Sequence, residues 1–168
     1  MENCGESRLK KDRGFTLVEV VIVIVIVGVL AKVSSSLFFS LSTYNKQYYQ
    51  DTVKNTIRYA RKLAIAGGQL IYVSVTSTSI TLQVMTQSSC AVGRTFSNIM
   101  DPISNTSGYV RTAPGSTTLT YSAHFPIYFN NVGQALNASN CAISSGLVTI
   151  GVTGMSTMTL YPQTGFIQ

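Results

Sequence analysis

The hydrophobic pattern divides the chain into three regimes. Residues 15–31 are a near-continuous apolar run, interrupted only by one carboxylate, Glu19, and one hydroxyl, Thr16. As a helix these residues would rise about 1.5 Å each, roughly 25 Å in all, close to the thickness of a bilayer core. From residue 33 the pattern becomes amphipathic. Leu37, Leu41, Tyr44 and Tyr48 step by helical intervals, and Val53, Ile57, Ala60 and Ala64 repeat the step after a phase slip. No proline interrupts residues 15–66, and Gly67 with Gly68 supplies a stop. The pattern predicts one helix of about fifty residues, with Ser34, Ser35 and Ser36 as its weakest point, since Ser competes for backbone hydrogen bonds.

After Gly68 the period changes to two. Residues 70–76 and 79–86 read as a hairpin, with Ile71, Val73 and Val75 on one strand face and Ile80, Leu82 and Val84 on the other strand's. Residues 88–115 are rich in turn signals. Strands are predicted again at 117–123 and 125–129, where Pro126 suggests an edge or a bend. Residues 130–145 read as a polar loop. Residues 146–153 and 156–162 form a second hairpin, and 165–167 add a short strand. Six or seven strands and half of a long helix can enclose one core. The fold class is α+β: a long N-terminal helix packed on an antiparallel, β-sandwich-like head. The regions are 1–14, a polar basic leader; 15–36, the apolar helix; 37–67, the amphipathic helix; and 68–168, the head.

Charge refines this picture. Only 11 % of residues are charged, and the net charge is +6. Cations before the apolar run place that end in the cytoplasm by the positive-inside rule. No small-residue cleavage site of the ordinary secretory kind follows the run closely; Ala31, Lys32 and Val33 make a poor one. Lys54, Arg58, Arg61 and Lys62 cluster on the predicted helix. They read first as a solvated helix face, and otherwise as a patch for nucleic acid or anionic lipid; Arg58, Arg61 and Lys62 with Arg94 and Arg111 are the candidate basic surface for DNA.

Of three cysteines, Cys4 lies in the leader, and Cys90 and Cys141 lie in the β-rich region. Removal of the leader leaves an even pair. That fits one disulfide in an oxidising compartment, or two buried thiols. A bridge would close a span of 51 residues (141 minus 90), worth about 4 kcal/mol in the chain-entropy model. No hydrolase, P-loop or dinucleotide signature is present, and no spacing supports a metal site. His124 stands alone, and Asp51 and Asp101 form no evident acid/base pair. Neither a catalyst nor a cofactor is expected.

The stretch Arg13-Gly14-Phe15-Thr16-Leu17-Val18-Glu19 resembles the prepilin-peptidase site of type IV pilins and type II secretion pseudopilins. The resemblance implies cleavage between Gly14 and Phe15, N-methylation of Phe15 and an assembly role for Glu19. It also implies a prepilin peptidase/methyltransferase, the inner membrane and other pilin subunits as partners. A buried carboxylate needs a partner, and the apolar run holds no Lys or Arg. The ammonium created at Phe15 lies one helical turn away in the same chain, or against a neighbour in a staggered stack. A pair of this kind selects register, because leaving either charge unpaired is costly.

A second resemblance covers Ile57 to Gly68 (IRYARKLAIAGG), Ile127-Tyr128-Phe129, Gly133, Val148-Thr149-Ile150 and Thr164-Gly165-Phe166-Ile167. These are similar to segments of GspH/FimT-type minor pilins, and within that group to minor pilins of mannose-sensitive haemagglutinin pili. The function implied is that of a minor filament subunit, at the tip or in priming assembly. The alternatives are a type II secretion pseudopilin and a DNA-binding minor pilin used in uptake. Many pilins carry a proline soon after the apolar run, where this chain has its three serines.

Overall fold

A computed structural model describes residues 15–86 and 94–168, without the side chains of residues 33–40. The leader and residues 87–93, including Cys4, Gly14 and Cys90, lie outside the described residues. The chain divides into two units, at Leu41 and Ser42.

One helix, α1 (Leu17–Gly67), spans the sequence predicted to be helical. Gly68 follows it with φ +63°, a left-handed conformation that glycine adopts without Cβ strain and that ends helices. In the first unit the helix exposes twelve large aliphatic side chains between Leu17 and Leu30. They surround the helix rather than form a stripe, the pattern of a helix meant to be covered on all sides. Among the described residues no helix is long and apolar enough to cross a membrane.

In the second unit the helix is amphipathic. Val53, Ile57, Ala60 and Ala64 are fully buried, as their spacing predicts. The predicted earlier half of the stripe is displaced. Leu41, Tyr44 and Tyr48 are exposed, and Tyr49 is buried instead. Tyr49 precedes Val53 by one i→i+4 step, so the buried face starts at Tyr49. Leu37 falls outside the described side chains.

Among its described residues the head holds ten strands rather than six or seven. They are β1 (Ile71–Val75), β2 (Ser79–Met85), β3 (Phe96–Asn98), β4 (Tyr109–Thr112), β5 (Leu119–Tyr121), β6 (Ile127–Phe129), β7 (Ala135–Asn137), β8 (Val148–Val152), β9 (Met158–Tyr161) and β10 (Phe166–Ile167). A larger sheet runs β3-β2-β1-β6-β7, with β4 also on β2. A smaller sheet runs β10-β9-β8-β5. All pairings are antiparallel. The hairpin β1–β2 pairs Ile71 with Val84 and Val75 with Ile80, which puts the alternating aliphatics on one face. Strand β6 lies inside the larger sheet, between β1 and β7, and is not an edge. Pro126 stands just before it, joined to Phe125 by a cis peptide bond. Standing before the ladder, it removes no donor from the strand.

The main core combines the buried helix face with inward residues of both sheets, including Val73, Leu82, Phe129, Ile150 and Leu160. A second, smaller cluster sits around Met85, Tyr128, Leu136 and Ala138, with Tyr72 and Cys141 packed against it. Cys141 is disulfide-bonded. Its expected pairing with Cys90 falls outside the described residues.

Candidate functional site: the helix start and the charged grooves of the head

Helix α1 begins with a defined cap. The Thr16 carbonyl oxygen accepts from the amides of Glu19 (3.1 Å) and Val20 (3.2 Å). Thr16 Oγ1 accepts from the Glu19 amide at 3.3 Å. Thr16 is therefore the N-cap and Glu19 the third helical residue, the Thr-x-x-Glu spacing of a capping box. The carboxylate occupies the first turn, where the unpaired amides of the helix start favour negative charge. Sequence reasoning singled out Thr16 and Glu19 but missed the cap, although their three-residue spacing signals it. Phe15 precedes the helix and is 79 % exposed. Gly14, the other residue of the expected cleavage site, lies outside the described residues.

The head's cations do not form one surface. Arg111 pairs with Asp101 through two hydrogen bonds, Nη1 to Oδ2 at 2.7 Å and Nη2 to Oδ1 at 2.8 Å. Its guanidinium also stacks on the Tyr109 ring, 4.1 Å from the centroid. Asp101 further accepts from the Ile103 amide (3.0 Å) and the Ser104 hydroxyl (2.9 Å). These donors, Arg111 foremost, hold the Asp101 carboxyl well below the usual carboxylate range. Arg111 lines a groove of about 510 Å³ together with Tyr48, Asp51 and Asn55. At its wall the Tyr49 hydroxyl donates to the Arg111 carbonyl oxygen at 3.1 Å. Burial pushes the Tyr49 phenol up to about 12.

Arg94 lies on another groove, with Tyr72, Phe96, His124 and Tyr128. It donates to the Tyr128 hydroxyl at 3.1 Å and to the Ala138 carbonyl oxygen. Arg58, Arg61 and Lys62 line a third groove, of about 390 Å³, with Ile65, Gly165, Phe166 and Ile167. The five predicted cations are thus divided among three places.

The third groove is held by a junction of three elements. Arg61 comes from the helix, Gly133 from the β6–β7 turn and Gly165 from the β9–β10 turn. A Cβ on Gly165 would overlap the Gly133 carbonyl oxygen and lie 3.0 Å from Arg61 Cδ. A Cβ on Gly133 would lie 2.9 Å from Arg61 Nε. Only glycines let the two turns close over the arginine stem. Arg61 Nε is buried there without a hydrogen-bond partner.

Residues 9–31 match the family described as the prokaryotic N-terminal methylation motif. No curated protein matches the chain by sequence. Two structures of the minor pseudopilin EpsH, from the type II secretion system of Vibrio cholerae, share the fold. One is 13 % identical with a TM-score of 0.50, covering 74 % of this chain and 94 % of that one. The other is 11 % identical with a TM-score of 0.51, covering 74 % and 92 %. The chain is therefore pilin-like in two respects, a prepilin-type N-terminal motif and a head of the minor-pseudopilin fold.

Proposed function

We propose that the chain is a non-catalytic minor subunit of a type IV pilin-like filament. The observation that carries this is the continuity of the methylation motif with a helix whose twelve large aliphatics are all exposed. Each such side chain gains roughly 1.5–3 kcal/mol on full burial, so lipid or neighbouring helices must cover them. On this reading the leader stays cytoplasmic, the apolar helix spans the inner membrane only together with the turns that continue it into residues 33–40, whose side chains lie outside the described set, and the head is periplasmic. A prepilin peptidase/methyltransferase cuts between Gly14 and Phe15 and methylates Phe15. The helix then moves from lipid into a filament core, where the Phe15 ammonium meets Glu19 of the same chain or a neighbour. In the periplasm Cys141 is bridged to Cys90.

Glu19→Ala tests the register role. Insertion and cleavage at Gly14 should persist while incorporation into filaments falls, measured by intact mass and by immunoblot of sheared filaments. Normal incorporation would remove the role assigned to Glu19.

The machine is a mannose-sensitive-haemagglutinin-like pilus or a type II secretion system; the likeness to EpsH favours the second. Deletion of the chain, scored for surface pili and for secreted enzyme, separates them. The DNA-uptake reading is disfavoured by the division of its five cations among three grooves. Salt-dependent DNA binding would restore it, with log K falling linearly in log salt.

A further inference from the structure

We propose that the groove formed by Arg58, Arg61, Lys62, Ile65 and Phe166 receives an acidic, apolar segment of a different subunit. The assignment of that partner to the filament rests on the function proposed above. Three observations carry it.

First, the groove has a charged rim and an apolar floor. Ile65 and Phe166 are 47 % and 48 % exposed, an unusual openness for side chains that line a concavity. Second, the rim is fixed in place. Arg58 Nη2 donates to the Ile167 carbonyl oxygen at 3.5 Å. The Arg61 stem is wedged against Gly133 and Gly165. Both guanidinium groups are thus held without any carboxylate. The ion pair between Arg111 and Asp101 lies in another groove. Ordering these long side chains in advance lowers the entropy lost when a carboxylate binds.

Third, residues 42–168 do not themselves supply the occupant. Residues 42–168 contain seven Lys and Arg against two Asp, a net +5, and residues 121–168 contain none of the four charged residue types. Asp101 already has both oxygens on Arg111. Asp51 lies on the helix, lining the Arg111 groove. Two copies of this head repel each other, and neither offers a free acidic, apolar strand or loop. Charge complementarity therefore selects a chain of another kind, which gives a physical reason for a minor rather than self-polymerising role.

Nucleic acid fits less well. Its phosphates need a continuous track of cations, whereas Arg94 and Arg111 lie in other grooves and are engaged there. An apolar floor gives phosphates nothing.

The test uses the full processed chain in detergent micelles and a labelled peptide, Ser-Leu-Glu-Phe-Asp-Leu-Glu-Ser, read by fluorescence anisotropy. Arg58→Gln with Lys62→Gln should weaken binding about tenfold or more, since each removes a hydrogen bond to a charged group. Both side chains are exposed, so the double variant keeps its core. Replacing the acids of the peptide by their amides should weaken binding to the same degree. Binding unaffected by either change overturns the proposal, as does failure to bind the peptide when a duplex DNA binds through Arg58 and Lys62. In filament-producing cells, a photo-crosslinker at Phe166 should join a different chain at an acidic segment, and the double variant should lose that product. A homodimer as the main product overturns it. Peptide binding without a cross-link to any subunit refutes the filament reading while leaving the groove an acidic-peptide site.

Discussion

Gly165→Ala should destabilise the head far more than another glycine substitution with a similar backbone angle. Gly165 has φ +62° and Gly115 φ +57°. Placing an alanine in either left-handed position costs about 1 kcal/mol. At Gly115 nothing lies within 4 Å of the new methyl group, so the cost stops there. At Gly165 the methyl overlaps the Gly133 carbonyl oxygen and presses on Arg61. The Gly165 amide is meanwhile tied to the Tyr161 carbonyl oxygen at 2.8 Å, and the Ala135 amide to that of Pro162 at 2.8 Å. Neither turn can retreat without breaking a hydrogen bond. Overpacking of this kind adds roughly 1–3 kcal/mol. The expected total is about 2–4 kcal/mol at Gly165, against about 1 kcal/mol at Gly115. The assay is equilibrium unfolding of the full chain in guanidinium, followed by tyrosine fluorescence. The chain has no Trp, and all nine Tyr lie beyond Ser42, so the signal reports on the head. Equal losses for the two variants would refute the three-element junction.

Two further substitutions test the packing and the ion pair. Tyr49→Ala should cost about 3–5 kcal/mol, the range for a buried aromatic, whereas Tyr48→Ala should stay within about 0.5 kcal/mol; the reverse order in the same unfolding assay would restore the phase of the helix stripe expected from sequence. Asp101 has a folded pKa depressed below its unfolded value of about 3.9. Its contribution is therefore present above about pH 4 and lost as pH falls below that, through the folded value. Asp101→Asn should flatten the acid limb of stability against pH, and parallel limbs for the two proteins would show that the pair does not stabilise the head.

The sequence made legible what periodicity controls. The helix extent, its stop at Gly67, the buried set Val53, Ile57, Ala60 and Ala64, and both hairpins follow from spacing alone. The phase of the earlier turns does not. Tyr48 and Tyr49 are the same residue type on adjacent positions, and only the Arg111 carbonyl oxygen, 62 residues away, singles out Tyr49. Strands β3, β4 and β7 have three or four residues each, too few to show alternation inside turn-rich sequence. Strand β6 falls within the predicted 125–129; only its place in the sheet escapes the sequence, because Pro126 suggests an edge while it stands one residue before the ladder of an interior strand. The cations illustrate a different limit. Residue type and number left one basic surface open beside the favoured solvated helix face, and sheet topology carries Arg94 and Arg111 to separate grooves. The Gly133–Gly165 junction left only two glycines as a trace, and nothing local says that they meet.

The cap at Thr16 explains why the apolar run can hold a carboxylate where it does. At the third helical position Glu19 lies in the turn whose amides are left unpaired, and a negative charge at such a position typically gains about 0.3–1 kcal/mol. One or two turns further along, at Val23 or Val27, that gain is gone and the cost of a charge among aliphatics remains. The helix start is thus where the uncleaved chain best tolerates a carboxylate. It is also within one turn of Phe15, the residue that would become an ammonium on cleavage. If the chain is processed as proposed, a single short motif serves two stages by the same electrostatics. Partial positive charge from the helix amides favours Glu19 before processing, and the full positive charge of a new amine would replace it afterwards. Since the second interaction is the stronger, processing would itself bias Glu19 from local capping toward pairing, and so couple cleavage to assembly.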